Sequence, residues 1–214
     1  VTIGAVLAQA AQIDGLGAGM MEMAGLAQKG GAVTVHLRIA NAPEDISAIR
    51  VATGECDALI GGELVVSASP QVLGLTQTGR TGGVVDSHEI VTGDFTRDTD
   101  FTIPSDRLEL SLEARLKDRL QLFDATELAE ALMGDSIYSN MMVLGAAWQR
   151  GLVPISHEAL MQAIDLNGQA PERNKRAFET GRWVAHDPEA AHDMADTDKV
   201  VEKPRTLDDR IAYR

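Results

Sequence analysis

The spacing of apolar residues changes repeatedly between two periods over the first 90 residues. A period near 3.6 predicts an amphipathic helix, whereas alternation, or a short apolar run between turn residues, predicts a strand. The predicted helices span residues 2–12, 43–53 and about 69–75, and the predicted strands span 32–40, 57–61 and 83–86, with a further short strand near 89–92. The first half of the chain is therefore expected to alternate helices and strands.

The second half is mainly helical. A charged helix is predicted at 107–119, followed by the short apolar run LQLFD. In ATELAEALMG, Thr126 is the predicted N-cap and Gly134 the predicted stop. Further helices are predicted at 138–150, at 157–166 with Ser156 as cap, and from Pro171 onward.

Elements of this length and order indicate an α/β protein. We expect a three-layer, Rossmann-like architecture, in which a largely parallel sheet is covered by helices on both faces. Beyond residue 184 the chain carries many carboxylates and few apolar residues. We therefore predict a domain over residues 1–184 and a charged C-terminal arm or linker over residues 185–214.

Composition narrows the classes of function. The 214 residues are 44% hydrophobic but only 4% aromatic, so the core is expected to consist of aliphatic residues, Ala and Met. A net charge of −13 argues against a nucleic-acid partner and against an anionic membrane surface. No apolar run approaches the roughly 20 residues that span a bilayer. Cys56 is the only cysteine, which excludes an intramolecular disulfide and a cysteine metal site. We predict a cytoplasmic protein that binds no metal.

The segment AVTVHLRIA combines an apolar side with a polar side. Alternation places Val33, Val35, Leu37 and Ile39 on one face of the predicted strand, and Thr34, His36, Arg38 and Ala40 on the other. A solvated face of an edge strand would explain this pattern. In an interior strand, His36 and Arg38 would instead need partners, because an unpaired buried polar group costs about 1–3 kcal/mol. A ligand or a neighbouring subunit would then supply them.

Two glycine pairs are candidate ligand contacts. Gly30 and Gly31 follow Lys29, and consecutive glycines let backbone amides approach an anion. The same residues are also typical of a plain helix-to-strand turn. Gly61 and Gly62 follow a short apolar strand, at the end where ligands bind in open α/β sheets. Glu63 comes next and is interpreted either as an acid or hydrogen-bond acceptor, or as a residue of the first turn of the following helix.

Four segments together resemble the gamma-type domain of the 2-oxoacid:ferredoxin oxidoreductases, most closely that of the large fused bacterial indolepyruvate ferredoxin oxidoreductases. They are GLAQKGGAVTVHLRIA at 25–40, CDALIGGELVVSA at 56–68, NMMVLGAAWQRGLVPI at 140–155 and AIDLNGQAPERNKRAF at 163–178. The resemblance covers about residues 1–183 in the family's order. That family usually has a strand and a Gly-rich turn before the helix that here begins VTIGAVLAQAA, so this chain is expected to lack both and to be a fragment.

The resemblance implies oxidative decarboxylation of an aryl pyruvate such as indolepyruvate to an acyl-coenzyme A, with electrons passed through iron–sulfur clusters to ferredoxin. Thiamine diphosphate and the clusters are expected on other domains. This chain is therefore expected to bind no cofactor other than coenzyme A and to be inactive alone. Its implied partners are the other domains or subunits of the oxidoreductase and, through the full enzyme, ferredoxin.

The resemblance also implies a set of binding residues and no catalytic residue in this chain. The first motif carries over Gln28, Lys29, Gly30, Gly31, His36 and Arg38, which are expected to face the domain interface or the phosphates of the coenzyme. The second motif carries over Gly61, Gly62 and Glu63, and the third carries over Asn140. Two alternatives stay open: a stand-alone Rossmann-type coenzyme-binding module and a structural assembly domain.

Overall fold

The computed structural model of the chain describes residues 2–24, 33–88, 105–190 and 193, which form eight α-helices and five strands. The helices are α1 (Thr2–Ile13), α2 (Leu64–Ser67), α3 (Pro70–Leu75), α4 (Ser105–Leu116), α5 (Ala125–Met133), α6 (Ser139–Gln149), α7 (His157–Asn167) and α8 (Pro171–His186). The strands are β1 (Gly17–Ala24), β2 (Val33–Ala40), β3 (Ala58–Gly61), β4 (Gly82–Asp86) and β5 (Leu120–Phe123).

A parallel sheet of three strands, in the order β3-β4-β5, lies between two layers of helices. Because neighbouring strand residues face opposite sides, Val84 packs into a large core with α1, α5, α6, α7 and α8, whereas Val85 packs into a smaller core with α2 and α4. Both valines are fully buried. The predicted α/β class, the parallel sheet and the helices on both faces are thus confirmed.

A separate antiparallel ribbon is formed by β1 and β2, with Gly17 opposite Ala40 and Ala24 opposite Val33. The sequence patterns did not predict β1, since GAGMMEMA lacks the β-branched residues of typical strands. Its glycines instead permit close approach: a Cβ added at Gly17 would lie within 2.6 Å of the Ala42 backbone.

The helix predicted at 43–53 is wrong. Only a single 3₁₀ turn forms, Pro43–Asp45, and Ile46 is already extended, with φ −91° and ψ 90°. Beyond it, the backbone N–H of Val51 and the carbonyl of Arg50 bond to side chains of β2 rather than to a helix. Tertiary hydrogen bonds therefore replace the local ones that the periodicity suggested. The strand predicted near 89–92 lies outside the described residues.

The helix ends in the second half follow the sequence signals, with one exception. Ser156 accepts a hydrogen bond from the N–H of Ala159 and caps α7. Gly134 ends α5 in the left-handed conformation, with φ 77°. The predicted N-cap Thr126 is wrong, because Asp124 caps α5 by accepting from the N–H of Glu127. The predicted domain boundary at 184/185 stays a prediction.

The large core depends on one close helix pair, α6 against α8. A Cβ added at Gly145 would collide with the backbone carbonyl of Phe178, and one added at Gly181 would collide with that of Met142. The two glycines therefore let the helix backbones touch. This contact fixes α6, whose first turn lies at the carboxyl end of β3.

Candidate functional site

His36 is buried within the ribbon rather than exposed on it. Its residue exposure is 5%, and its Nδ1 accepts a hydrogen bond of 2.9 Å from the backbone N–H of Val51. Burial first, and then the positive charges of Arg50 and Arg38, lower the pKa of the imidazole. The side chain is therefore neutral at pH 7, with its proton on Nε2.

Arg38 is held by the same loop. Its Nη2 donates to the carbonyl of Arg50 at 3.1 Å and to the carboxylate of Glu55. The bond from Arg38, together with the N–H of Ala52, lowers the pKa of Glu55. The Nε of Arg38 is buried and makes no hydrogen bond to the described residues.

These contacts differ from both interpretations that the sequence allowed, a solvated face of an edge strand and an interior strand whose polar residues bind a ligand or a neighbouring subunit. On the face predicted to be apolar, Val33 and Val35 at the start of β2 are 47% and 37% exposed. His36, on the face predicted to be polar, is buried. The partners of His36 and Arg38 come from residues 50–55 of the same chain, which the sequence patterns did not single out. Gln28, Lys29, Gly30 and Gly31 lie outside the described residues.

Two other predicted residues meet at the carboxyl end of β3. A Cβ added at Gly62 would lie 2.7 Å from Oδ1 of Asn140, which belongs to the first turn of α6. Gly61 is also constrained, because a Cβ there would collide with Oγ of Ser67. The second and third motifs, 78 positions apart at Gly62 and Asn140, thus form one surface.

Glu63 is the N-cap of α2. Its Oε1 accepts from the N–H of Val66 at 2.5 Å, and its backbone carbonyl accepts from the hydroxyl of Ser67. The structure thus places Glu63 at the start of α2, and its role toward a ligand stays a prediction. The capping role fixes one carboxylate oxygen beside the glycine pair.

A third cluster lies at the carboxyl ends of β4 and β5, and the motifs did not reveal it. Asp86 is fully buried; its Oδ1 accepts from the N–H groups of His88 and Ala125, both at 3.0 Å, and its Oδ2 accepts from the hydroxyl of Thr126 at 2.8 Å. Burial raises the pKa of this carboxyl. His88 Nδ1 lies 3.2 Å from Oδ2 of Asp124.

The sequence model of the pyruvate ferredoxin/flavodoxin oxidoreductase family matches residues 1–183 of the chain. The chain belongs to this family. No curated protein matches the chain.

Solved structures of oxidoreductase subunits share the fold. The gamma subunit of a keto/oxoacid ferredoxin oxidoreductase from Geobacter sulfurreducens is 22% identical, with a TM-score of 0.56 over 86% of this chain and 90% of that one. Subunit PORC of the pyruvate oxidoreductase from Thermotoga maritima is 18% identical, with a TM-score of 0.55 over 85% and 87%. The chain is similar to single subunits of these oxidoreductases.

The residues that the structure describes provide neither a metal-binding cluster nor a reactive thiol. They hold no group of three or more His, Cys, Asp or Glu side chains placed to bind a metal ion. Cys56 donates to the carbonyl of Ala58 at 3.1 Å, and burial raises the pKa of its thiol to about 11. Among the same residues, no helix is long and apolar enough to cross a bilayer.

Proposed function

We propose that this chain is the gamma-type component of a 2-oxoacid:ferredoxin oxidoreductase that acts on an aryl pyruvate such as indolepyruvate. In this proposal it contributes to coenzyme A binding and to assembly with the domains that carry thiamine diphosphate and the iron–sulfur clusters. The observation that carries the proposal is the family match over residues 1–183, together with the contact between Gly62 and Asn140.

The carboxyl edge of the sheet supports the coenzyme part of the proposal. Ligands of open α/β sheets bind outside the carboxyl ends of the strands. Gly62 and Asn140 are both exposed at this edge, and the Asn140 carboxamide makes no hydrogen bond to another described residue. A carboxamide supplies both donors and an acceptor, which suits the amide and hydroxyl groups of a pantetheine arm.

The whole-enzyme test is dye reduction by the complete oxidoreductase, with thiamine diphosphate, coenzyme A and a series of 2-oxoacids. We expect the highest kcat/KM with indolepyruvate and a loss of steady turnover when coenzyme A is omitted. Preference for pyruvate would overturn the aryl specificity alone. Absence of turnover with every 2-oxoacid would overturn the proposed function.

The residue test compares two glycines in the same complex. Gly62→Ala places a methyl group against the Asn140 carboxamide, whereas Gly74→Ala meets nothing within 4 Å. We expect Gly62→Ala and Asn140→Ala to raise the dissociation constant of coenzyme A by about fivefold or more, which is roughly one lost hydrogen bond, and Gly74→Ala to leave it unchanged. Equal affinities in all three variants would contradict the assignment.

For the first motif we propose a division of labour. Lys29 supplies charge to the coenzyme phosphates and Gln28, Gly30 and Gly31 contribute to the same binding motif, whereas His36 and Arg38 hold residues 50–55 against β2. We therefore expect Lys29→Ala to weaken coenzyme binding in a salt-dependent way. Arg38→Ala is expected to weaken it less and to lower stability, since Glu55 loses its partner. Wild-type coenzyme affinity and wild-type assembly in both variants would contradict this role.

The exposed end of the ribbon supports the assembly part of the proposal. Met20 and Val35 lie on the same side of the ribbon, 39% and 37% exposed, with Val33 at its end. Contiguous exposed apolar side chains mark interaction surfaces. We expect Val35→Asp to reduce recovery of the assembled oxidoreductase in size-exclusion chromatography, whereas Leu110→Asp, at an exposed leucine of α4, leaves it intact. Equal recovery of both variants would exclude this surface.

A further inference from the structure

The helices that follow β4 and β5 in the described part of the chain lie on opposite faces of the sheet. The helix that follows β4 in the described chain is α4, which packs with Val85 in the smaller core, whereas β5 runs directly into α5, which packs with Val84 in the larger core. Neighbouring strands whose connections diverge leave a crevice outside their carboxyl ends, and ligands of open α/β sheets bind there. The first candidate group in that crevice is His88.

His88 is held both through its backbone and through its side chain. Its backbone N–H donates to buried Asp86, which also accepts from the first N–H of α5 at Ala125. Its Nδ1 meets Asp124, whose other oxygen accepts from the N–H of Glu127 at 2.6 Å. The strand end, the imidazole and the helix start thus form one hydrogen-bonded unit.

This arrangement sets the chemistry of the exposed nitrogen. A carboxylate only accepts hydrogen bonds, so Nδ1 carries the hydrogen that Asp124 accepts and Nε2 presents its lone pair. The side chain is 40% exposed, and Nε2 makes no hydrogen bond to the described residues. His88 is therefore oriented as a hydrogen-bond or proton acceptor.

The charges around His88 indicate which kind of chemical group can bind there. Asp86 and Asp124 carry two carboxyl groups beside the imidazole, and the N–H groups of Ala125 and Glu127 are already used by them. A phosphate or carboxylate would meet like charge there, and these two amides already have acceptors. The crevice suits an uncharged donor, such as a thiol, a hydroxyl or an N–H.

We propose that His88, positioned by Asp124, accepts the proton of the coenzyme A thiol. This step rests on the proposed function, which supplies the thiol. The S–H bond breaks, an Nε2–H bond forms, and the resulting imidazolium is paired with the Asp124 carboxylate while the sulfur becomes a thiolate. No group is oxidised or reduced in this step. The thiolate is the nucleophile that acyl transfer to coenzyme A needs.

The chain offers a matched control for this histidine. His157 is also 40% exposed and also bonds to a carboxylate, through its Nε2 to Glu179, but it begins α7 and packs against Trp148 near the end of α6. His88→Gln and His157→Gln are therefore compared in the complete oxidoreductase. Asp124→Asn is the third variant, since asparagine caps a helix as well as aspartate does.

The assay separates binding from proton transfer. We expect His88→Gln to lower coenzyme A-dependent turnover by about 100-fold, the usual contribution of a general base, while the inhibition constant of desulfo-coenzyme A stays unchanged. Asp124→Asn is expected to lower turnover about tenfold or more through the misplaced tautomer, and added imidazole to restore part of the activity of His88→Gln. His157→Gln should match the wild type.

The outcomes distinguish the two proposals. Equal turnover of His88→Gln and His157→Gln, with coenzyme A-dependent wild-type activity, overturns the role of His88 and leaves the proposed function intact. A parallel loss of turnover and of desulfo-coenzyme A binding also overturns it, because His88 would then hold the ligand or the fold. A wild-type enzyme without coenzyme A dependence overturns both proposals.

Discussion

Nδ1 of His36 lies 2.9 Å from the backbone nitrogen of Val51, and this bond, together with those of Arg38, joins the β1–β2 ribbon to the loop that follows it. The bond requires an unprotonated Nδ1, because the Val51 N–H is the donor. A protonated imidazole would present an N–H to another N–H, within reach of the positive charges of Arg38 and Arg50. The ribbon therefore carries a contact that acid breaks.

We predict that His36 makes the protein less stable as the pH falls below about 6.5, its ordinary pKa. The pKa is lowered in the folded state, so in this window the unfolded chain binds a proton that the folded chain does not. One such proton changes the free energy of unfolding by up to ~1.4 kcal/mol per pH unit. Urea unfolding measured at several pH values between about 8 and 5.5 gives this slope.

His36→Gln is the informative variant, because the glutamine oxygen also accepts from Val51 but does not titrate. Its slope over the same window should be shallower than that of the wild type. His186→Gln, at the exposed end of α8, serves as control and should leave the slope unchanged. An identical slope in His36→Gln and the wild type would show that His36 titrates normally.

Asp86 is predicted to be the most costly polar residue to truncate at the carboxyl edge. Asp86→Ala leaves the N–H groups of His88 and Ala125 and the hydroxyl of Thr126 without their acceptor. A buried donor without a partner costs about 1–3 kcal/mol, so we expect a loss of about 2–4 kcal/mol in the free energy of unfolding. Asp86→Asn should lose less stability, because the amide oxygen still accepts hydrogen bonds. The substitution also removes a negative charge that burial disfavours. Equal losses for Ala and Asn would contradict this explanation.

The contact between α6 and α8 predicts whether two glycine substitutions raise or lower the free energy of unfolding. Alanine is about 1 kcal/mol better than glycine inside an ordinary helix, but at Gly145 and Gly181 its methyl group would meet the backbone of the other helix. We expect Gly145→Ala and Gly181→Ala each to lower the free energy of unfolding by about 1–3 kcal/mol or more. Gly74→Ala in α3, which meets nothing, should be neutral or stabilising. Thermal unfolding of the three variants measures this difference, and stabilisation by Gly181→Ala would refute the close contact.

The sequence predicted what depends on local signals. Ser156 and Gly134 act as the cap and stop that their types suggested, because a cap needs only its own helix end. The fold class followed from the order of helical and strand periods. Gly61 and Gly62 were singled out as candidate ligand contacts at a strand end; the structure shows a side chain close to each, and their contact with a ligand stays a prediction.

The sequence misled where partners come from elsewhere in the chain. The period at 43–53 suggested a helix, but the bonds of Arg50 and Val51 go to Arg38 and His36 on β2. His88 belongs to no sequence motif. The feature that singles it out is its contact with Asp124, which lies 36 positions later at the end of the neighbouring strand. Such pairings appear only when the strand register is known.

The single cysteine is predicted to react slowly in the folded protein. Cys56 donates to the carbonyl of Ala58, and burial raises the pKa of its thiol to about 11. Only the thiolate is nucleophilic, so at pH 8 the folded protein should be alkylated by iodoacetamide about 100-fold more slowly than the urea-unfolded chain. The rates follow from mass spectrometry of quenched samples, with free cysteine in the same urea solution as control. Similar rates for the folded and unfolded chains would mean that the thiol is exposed and ionises normally, and Cys56 would then be a reactive group at the base of β3.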